Sequence, residues 1–480
     1  MKRLKKITAT LLVFVLSLCS LCVSAETPGE TASRYILGII DIIEEEYKFE
    51  ADKTKMYEAV LDYVMNQNPE LLEGSIQAVT DTLDIHSDYM TAEELSEFMM
   101  GVENVYVGIG VTIEVVEEGI RVTEVNEKGG AFDAGIKVDD IIFEVNGQNI
   151  KGMTLEDARA LIIGDEGTSV NLKIHRGEAD ILFSVVRKMI FVDTVLYTQE
   201  EGGVGYIYIS EFSTSTPSLV ENALKDLEGQ GIKKFMIDVR DNPGGTLGSA
   251  RKVLSLFVPK DKVLSKIKYN NEKFNYDLKS KATFRKAPNR DIVILINENS
   301  ASAAELFAGA MQNLKLAKVV GQTSYGKGSV QEFLGLRSHE NATLGDIKLS
   351  VAEFTLPDGG KINGYGIEPD VRVKNYTEFY TNDDFTALES KDKYKIGSTG
   401  TDVLAIEERL AVLGYNTGVV DETFDEQTHK ATMQFQRDVG LYSYGVMDFT
   451  TQQALENEIV KVEYLVDKQL EKAYEMLLKE

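Results

Sequence analysis

The segment INENSASAAELFAGAMQ, residues 296–312, runs from the end of an apolar strand into a helix. Ser302 lies between two alanines where the helix would begin, and there the free backbone N–H groups and the helix dipole favour negative charge. The alanines leave room for a substrate, so Ser302 is a candidate nucleophile. The alternative is that Ser300 or Ser302 only caps the helix.

Strand and helix alternate on both sides of this segment, from about Phe191 to Val373. The elements read, in order, GYIYISEF, TPSLVENALKDLEGQG, KKFMIDVR, TLGSARKVLSLF, DIVILIN and SAAELFAGAMQNL. This alternation predicts a mostly parallel sheet covered by helices. Such folds carry their chemistry at the carboxyl ends of the strands. Both DVRDNPGG (238–245) and NENSAS follow a strand in this way.

A serine nucleophile needs a base, and histidine is a poor candidate here. The four histidines lie in four different predicted regions: His86, His175, His339 and His429. The segment TSYGKGSVQEF, residues 323–333, instead offers Lys327 between two glycines. Lysine can act as a base when burial lowers its pKa, and Gln331 could hold the amine by a hydrogen bond. The alternative for Lys327 is a solvated turn residue.

The glycines of DVRDNPGG, Asp238 to Gly245, allow backbone N–H groups to converge on an anion. The alternative is a tight turn. No Walker lysine follows the glycines, and the chain contains no G-x-G-x-x-G motif. A nucleotide-binding loop is therefore not indicated.

The amino terminus indicates export. MKRLKK is followed by an uncharged run from Ile7 to Ala25 that ends Val-Ser-Ala, which is typical of a secretory signal peptide over residues 1–25. An uncleaved membrane anchor is the alternative. Both cysteines, Cys19 and Cys22, lie in this segment. The mature chain would therefore have no disulfide, no thiolate nucleophile and no cysteine-ligated metal.

The mature chain would also be strongly acidic. Removing the four basic residues of the signal segment moves the net charge from −26 to −30. Such a surface repels phosphate backbones, so nucleic acid is excluded as a partner. We expect no cofactor and no metal. The protein should be extracytoplasmic, either secreted or associated with the cell envelope.

The length of 480 residues predicts about two to four domains. Residues 26–101 have helical periodicity, with Ile36, Ile39, Ile40 and Ile43 on one stripe. Short β-rich runs with one clear helix, TLEDARALI, fill residues 102–190 and predict a small α+β domain. Thr154 should cap the start of this helix. Residues 376–393 have no clear periodicity and are interpreted as a linker. Residues 394–460 are helical again, and residues 461–480 predict a final amphipathic helix.

Three motifs occur in a fixed order, DVRDNPGG, NSASAAE and SYGKGSVQ, and together they resemble those of the carboxyl-terminal processing proteases, which are tail-specific Ser/Lys peptidases. TLDIHSDYM and TLPDGGKINGYGIEPD extend the resemblance over residues 30–375, although Ile85 stands where the family often has proline. The resemblance implies a multidomain α/β protein with a ClpP/crotonase-like core over 191–375. It also implies that Ser302 is the nucleophile, Lys327 the base and Gln331 its positioning residue.

The same resemblance implies an oxyanion hole made by the backbone N–H groups of Gly244 and Ala303. It makes residues 102–190 similar to a PDZ domain, an α+β domain inserted before the core that receives the free carboxyl terminus of a protein substrate. The carboxylate-binding loop would be VGIGV: Val107, Gly108, Ile109, Gly110 and Val111.

Residues 394–460 resemble a small all-α peptidoglycan-binding domain. VVDETFDEQT lacks the glycines usual in one turn of that domain, which leaves two readings open. The domain either binds peptidoglycan, or packs on the protease or on another copy of the chain.

These observations predict an exported serine endopeptidase that cleaves proteins near their carboxyl termini. The alternatives are a catalytically silent PDZ scaffold at the cell wall and a coenzyme A enzyme that shares only the fold.

Two apolar stripes predict a homodimer built on the amino-terminal helices. One is the amino-terminal stripe, and the other is a carboxyl-terminal stripe of Val466, Leu470, Ala473 and Leu477. The alternative is that both stripes fold back onto the protease core.

Overall fold

The computed structural model describes residues 28–46, 52–177, 179–281, 290–337, 343–389 and 392–479. The predicted signal segment, residues 1–25, lies outside the described residues. None of the helices in these ranges is both long and apolar enough to cross a bilayer.

The amino-terminal region is helical, as its periodicity predicts. Its elements are α1 (Pro28–Glu46), α2 (Lys53–Gln67), α3 (Leu72–Thr80), β1 (Asp88–Met90) and α4 (Ala92–Val102). Thr91 and Glu94 form a reciprocal capping box at the start of α4. On α1 only Ile40 of the predicted stripe is buried, and the other three isoleucines are exposed. Most of this apolar face is therefore exposed within the described chain.

The middle domain is a small sheet with two helices. Its elements are β2 (Val105–Gly108), β3 (Val111–Val116), β4 (Gly119–Val125), α5 (Gly130–Ala134), β5 (Ile141–Val145), β6 (Gln148–Asn149), α6 (Leu155–Ile162), β7 (Ser169–Arg176), β8 (Ala179–Val186) and β9 (Lys188–Phe191). The main strand order is β3-β4-β5-β7-β8, which leaves β3 at an edge. Thr154 caps α6 by accepting from the Asp157 N–H, as the sequence predicts.

The predicted strand and helix alternation appears in the core. Its elements are β10 (Val195–Glu200), β11 (Val204–Ile209), α7 (Thr216–Gly229), β12 (Lys234–Asp238), α8 (Leu247–Leu254), β13 (Val263–Tyr269), β14 (Tyr276–Lys279), β15 (Asp291–Ile296), α9 (Ala303–Asn313), β16 (Lys318–Gly321), β17 (Ser329–Arg337), β18 (Thr343–Thr355) and β19 (Val371–Arg372). The main sheet has the order β10-β11-β12-β15-β16-β19 and is parallel except for β10. This confirms the α/β class.

A second, antiparallel sheet lies beside the first. Its order is β1-β18-β13-β14, and β17 also pairs with β18. Strand β1 comes from the amino-terminal region, where Asp88 pairs with Lys348 of β18. The amino-terminal region is therefore joined to the α/β core by a shared sheet.

The carboxyl-terminal region contains β20 (Tyr376–Phe379), α10 (Thr401–Val412), α11 (Glu426–Asp438), α12 (Phe449–Ile459), β21 (Glu463–Val466) and α13 (Lys468–Leu478). Four short 3-10 turns complete the described elements: Pro69–Leu71, Glu201–Gly203, Glu272–Phe274 and Asn382–Asp384. Helices α10 to α12 share a core that includes Val403, Phe424, Phe435 and Leu455.

The structure differs from the sequence predictions at both ends of this domain. Residues 376–393, interpreted as a linker, contain β20, which pairs with β21. The buried guanidinium of Arg409 bonds the carbonyl oxygens of Asn382 and Thr386 in the same segment. A run without periodicity can still be ordered when partners distant in sequence satisfy its backbone groups.

The final helix was expected to contribute to a dimer interface, and that prediction is wrong for its apolar stripe. Ala473 and Leu477 of α13 are buried against residues of the main sheet, with Leu470 packed beside them. Three of the four stripe residues therefore fold back on the α/β core, as the alternative stated. Val466, the fourth, lies on β21, so the helix predicted over residues 461–480 begins only at Lys468; residues 463–466 are a strand because they pair with β20.

Candidate active site

Ser302 precedes the first residue of α9, at the carboxyl-end side of β15. Its φ of 55° and ψ of −114° lie outside the conformations that a non-glycine residue favours. The strain is sustained because the surroundings are rigid: α9 is buried from Ala303 to Met311, and Ala301 is buried as well. Ser302 itself is only partly buried. A strained, rigidly held and accessible serine suits a nucleophile.

The loop after β12 brings Gly244 against this serine. A Cβ added at Gly244 would lie 2.7 Å from the Ser302 Cβ and 3.0 Å from the Ala303 nitrogen, so only glycine fits. The Ala303 N–H, predicted to bind an oxyanion, donates no hydrogen bond within the described part of the chain. The Gly244 N–H, predicted to be the other oxyanion donor, instead donates a hydrogen bond to the Asn242 Oδ1 at 2.8 Å. In this state one of the two predicted oxyanion donors is occupied.

Lys327 is partly buried between the buried residues Gly326 and Gly328. Burial lowers the pKa of Lys327, and the nearby Lys348 ammonium lowers it further, whereas the carboxylates of Asp84 and Glu305 act in the opposite direction. The depressed pKa of Lys327 increases the fraction of neutral amine at a given pH. A neutral amine is the form that a general base requires.

Gln331 does not hold Lys327 in the predicted way. Its amide nitrogen donates to the hydroxyls of Ser329, at 2.9 Å, and Ser350, at 3.1 Å. Among the described residues no hydrogen bond joins Gln331 and Lys327. The expected bond is absent because Gln331 lies on β17, where the hydroxyl of Ser350 on the paired strand β18 lies within reach.

Glu305 is the site residue that sequence reasoning missed. Its fully buried carboxylate accepts four hydrogen bonds, from the Ser302, Gly326 and Lys327 N–H groups at 2.8, 2.7 and 2.8 Å and from the Ser324 hydroxyl at 2.6 Å. Burial raises the pKa of Glu305, and the four donors oppose that rise. Three of these partners can only donate, so the arrangement satisfies the ionised carboxylate.

One of the four Glu305 hydrogen bonds follows a known sequence pattern. A glutamate three residues after a serine is the pattern of a helix capping box, and the Glu305 bond to the Ser302 N–H has that form. Nothing in the pattern shows that the same carboxylate also reaches the loop of Lys327.

The amino-terminal region forms one wall of a cleft that meets the lysine-bearing segment at Ser329. The loop of residues 84–87 docks on β18, where Asp84 accepts from the Ser350 hydroxyl and the Ser350 N–H donates to Ser87. Burial and the charge of Lys327 lower the pKa of His86 in this loop. The cleft has a volume of about 590 Å³, and its lining includes Asp84, His86, Tyr269, Ser329, Ser350 and Asn363. The cleft has room for a substrate segment, but Ser302 and Lys327 are not among its lining residues.

The chain is similar along almost its whole length to a named protease. It is 32% identical over 476 residues to the carboxy-terminal processing protease CtpA of Bacillus subtilis (strain 168), covering 98% of each chain. The chain belongs to the carboxy-terminal processing proteases. The model of peptidase family S41 matches residues 203–373. The family identifies the chain as a serine-type peptidase, so the coenzyme A alternative is wrong.

Further matches are a second relative, one solved structure and two family models. A probable CtpA-like serine protease of Staphylococcus epidermidis is 32% identical over 402 residues, covering 83% of this chain and 80% of that protein. A photosystem II D1 C-terminal processing protease of known structure is 23% identical, with a TM-score of 0.42, over 71% of this chain and 92% of its own. Two further family models match: a PDZ domain at residues 121–176 and a putative peptidoglycan binding domain at 399–455.

The PDZ domain of this protease has a groove next to its edge strand β3. The groove has a volume of about 280 Å³ between β3 and α6, and its lining includes Tyr106, Gly108, Ile109, Gly110, Val111, Leu155, Arg159 and Ile162. Four of the five predicted carboxylate-loop residues therefore line it. Val107, on β2, is not among the lining residues.

Proposed function

We propose that the protein is an exported endopeptidase in which Ser302 and Lys327 form the catalytic dyad. One observation carries the proposal: the Ser302 and Lys327 N–H groups donate to the same oxygen of Glu305, each at 2.8 Å. One buried carboxylate therefore fixes the nucleophile turn and the lysine loop relative to each other.

In this mechanism the Ser302 Oγ attacks the peptide carbonyl while neutral Lys327 accepts its proton. Lys327 then returns the proton to the leaving amine, and water hydrolyses the acyl-enzyme in the same way. The Ala303 N–H at the start of α9 stabilises the oxyanion. Gly244 becomes the second donor when its N–H exchanges the Asn242 oxygen for the oxyanion. The geometry around Gln331 supports a role in holding β17 and β18 together beside the base.

We also propose that the PDZ domain binds the free carboxyl terminus of the protein substrate. An edge strand has unpaired backbone groups that can add a peptide strand, and β3 is such a strand. The glycines at 108 and 110 lie at one end of the groove, where backbone N–H groups can bind a carboxylate. Cleavage near the substrate's carboxyl terminus follows from holding that end beside the protease core.

The export of the protein and its association with the cell envelope remain part of the proposal. They rest on the signal-peptide pattern of residues 1–25 and on the peptidoglycan-binding family of residues 399–455. Peptidoglycan is accordingly a candidate partner of the carboxyl-terminal domain.

A cleavage assay separates the endopeptidase from the silent scaffold. Residues 26–480 are incubated with casein, and the products are identified by mass spectrometry. We expect the wild type to cleave and both Ser302→Ala and Lys327→Ala to be inactive, while Ser302→Ala still binds carboxyl-terminal peptides. A wild type that binds these peptides and cleaves nothing would establish the scaffold, and an active Ser302→Ala would exclude the dyad.

A further inference from the structure

The last helix of the chain reaches the active-site loop. Helix α13 lies on the main sheet, with Ala473 and Leu477 buried against a group of sheet residues: Val204, Met236, Val293, Leu295 and Val320. The residue before its first turn, Asp467, lies at the carboxyl-end side of β12. There it contacts Arg240, which belongs to the DVRDNPGG loop.

Arg240 is divided between two carboxylates. Its Nε and Nη2 atoms bond Asp238, at 3.0 and 2.7 Å, and its Nη1 atom bonds both oxygens of Asp467, at 2.8 and 2.7 Å. Nη1 also lies 3.2 Å from the Oε1 of the buried Gln469. The Arg240 and Asp467 side chains are 13% and 24% exposed, which makes this ion pair stronger than a fully solvated one.

The loop that Arg240 anchors is in direct contact with the nucleophile turn. The Ala301 N–H donates to the Asn242 carbonyl at 2.9 Å, and the Ser300 hydroxyl donates to the Val239 carbonyl at 2.7 Å. Gly244 lies against Ser302 with no room for a Cβ. A small shift of this loop would therefore change the space and the donors around the Ser302 hydroxyl.

We propose that Asp467 is a positioning residue of the protease, which fixes Arg240 and through it the loop that places Gly244 beside Ser302. The inference rests on the proposed role of Ser302. It assigns to the chain's final segment a function in catalysis, although a complete domain, α10 to α12, separates that segment from the core in sequence. The β20 and β21 pair returns the chain to the core after this domain.

Asp467 also caps α13, because its Oδ1 accepts from the Leu470 N–H at 2.9 Å. The test must therefore separate the cap from the ion pair. Serine preserves a capping oxygen but carries no charge, so Asp467→Ser keeps the cap and removes the ion pair with Arg240. Glu471→Ser is the matched control, since it removes an exposed carboxylate from the first turn of the same helix.

The measurements are kcat and KM for an unstructured peptide, the rate of Ser302 labelling by a fluorophosphonate, and the melting temperature. We expect Asp467→Ser to lower kcat and the labelling rate by about tenfold, because a small displacement of the loop misplaces Gly244 beside Ser302. KM should match that of Glu471→Ser, both variants should be fully folded at the assay temperature, and Asp467→Glu should recover part of the activity.

Equal kcat values in Asp467→Ser and Glu471→Ser would overturn the proposal, and so would a loss of kcat that only parallels a lower melting temperature. If Asp467→Ser does not fold, the isosteric Asp467→Asn provides the same comparison with a smaller expected loss. An active Ser302→Ala would instead refute the proposed function on which this inference rests.

Discussion

At the residue scale, a single carboxylate organises the site. All four hydrogen bonds of Glu305 go to the segments that carry Ser302 and Lys327. The strained backbone of Ser302 is stabilised by one of them, because its N–H has this acceptor. The proposed nucleophile and the proposed base are therefore placed by a residue that need not touch the substrate.

Replacing Glu305 by glutamine should abolish this arrangement. One oxygen of the carboxylate becomes an NH₂ group that faces N–H donors, which leaves at least one buried donor unsatisfied at a cost of about 1–3 kcal/mol. We expect kcat to fall by more than about a hundredfold, as misplaced catalytic groups imply, and the free energy of unfolding to fall by an amount in that range. Steady-state kinetics and urea unfolding measure the two effects. Retention of more than half of the wild-type kcat would contradict the role of Glu305.

The pH dependence of kcat/KM should follow the titration of Lys327. The lowered pKa of Lys327 means that its neutral, active form becomes populated as the pH rises through a value below that of ordinary lysine. We expect kcat/KM to rise with pH through this pKa, and Lys327→Arg to be inactive at every pH because guanidinium retains its proton. A pH-rate profile from pH 6 to 10 tests both expectations. Substantial activity of Lys327→Arg would exclude lysine as the base.

Lys348 should shift that profile. Its positive charge contributes to the lowered pKa of Lys327, and its ammonium is held 4.8 Å from the ring centre of Phe98 on α4. In Lys348→Gln the pKa of Lys327 should rise, so the acid limb of the profile should move to higher pH while the plateau is retained. Lys348→Arg is the matched control and should leave the limb in place. An unmoved limb in Lys348→Gln would show that burial alone sets the pKa.

At the scale of elements, local patterns predicted what depends on neighbours in sequence. The alternation around Ser302 predicted the parallel sheet, and Thr154 predicted the start of α6. The antiparallel sheet was not predicted, because β1 and β18 are far apart in sequence and only the fold pairs Asp88 with Lys348. The Asp467 contact with Arg240 escaped prediction for the same reason.

The PDZ groove is the element whose function is most easily tested. We expect the Ser302→Ala protein to bind peptides with a free apolar carboxyl end and to lose them on amidation, because amidation removes the charge that the loop N–H groups would bind. Leu155→Asp, in the groove, should weaken binding. Leu182→Asp, exposed on β8, is the control and should not. Fluorescence anisotropy with labelled peptides measures all four cases, and equal binding of the amidated peptide would place recognition elsewhere.

At the scale of the whole molecule, the two apolar stripes have different roles. The stripe of α13 is an internal part of the core. On α1, by contrast, Ile36, Ile39 and Ile43 remain 37%, 57% and 39% exposed, and only Ile40 is buried. The amino-terminal helices are therefore the surface on which the predicted homodimer now depends.

We expect the mature chain to be a dimer through α1 and α2. Its net charge near −30 opposes association, but salt screens exposed charges beyond about 8 Å at physiological ionic strength. Apolar burial favours association by about 25 cal/mol per Å², so a shared isoleucine face should prevail.

The doubly substituted chain Ile36→Glu, Ile39→Glu and the chain without residues 26–75 should both be monomers. Val419→Glu, at a site 79% exposed in the carboxyl-terminal domain, should remain dimeric. Multi-angle light scattering at micromolar concentration measures the molar mass of each chain, and a monomeric wild type would contradict the predicted dimer.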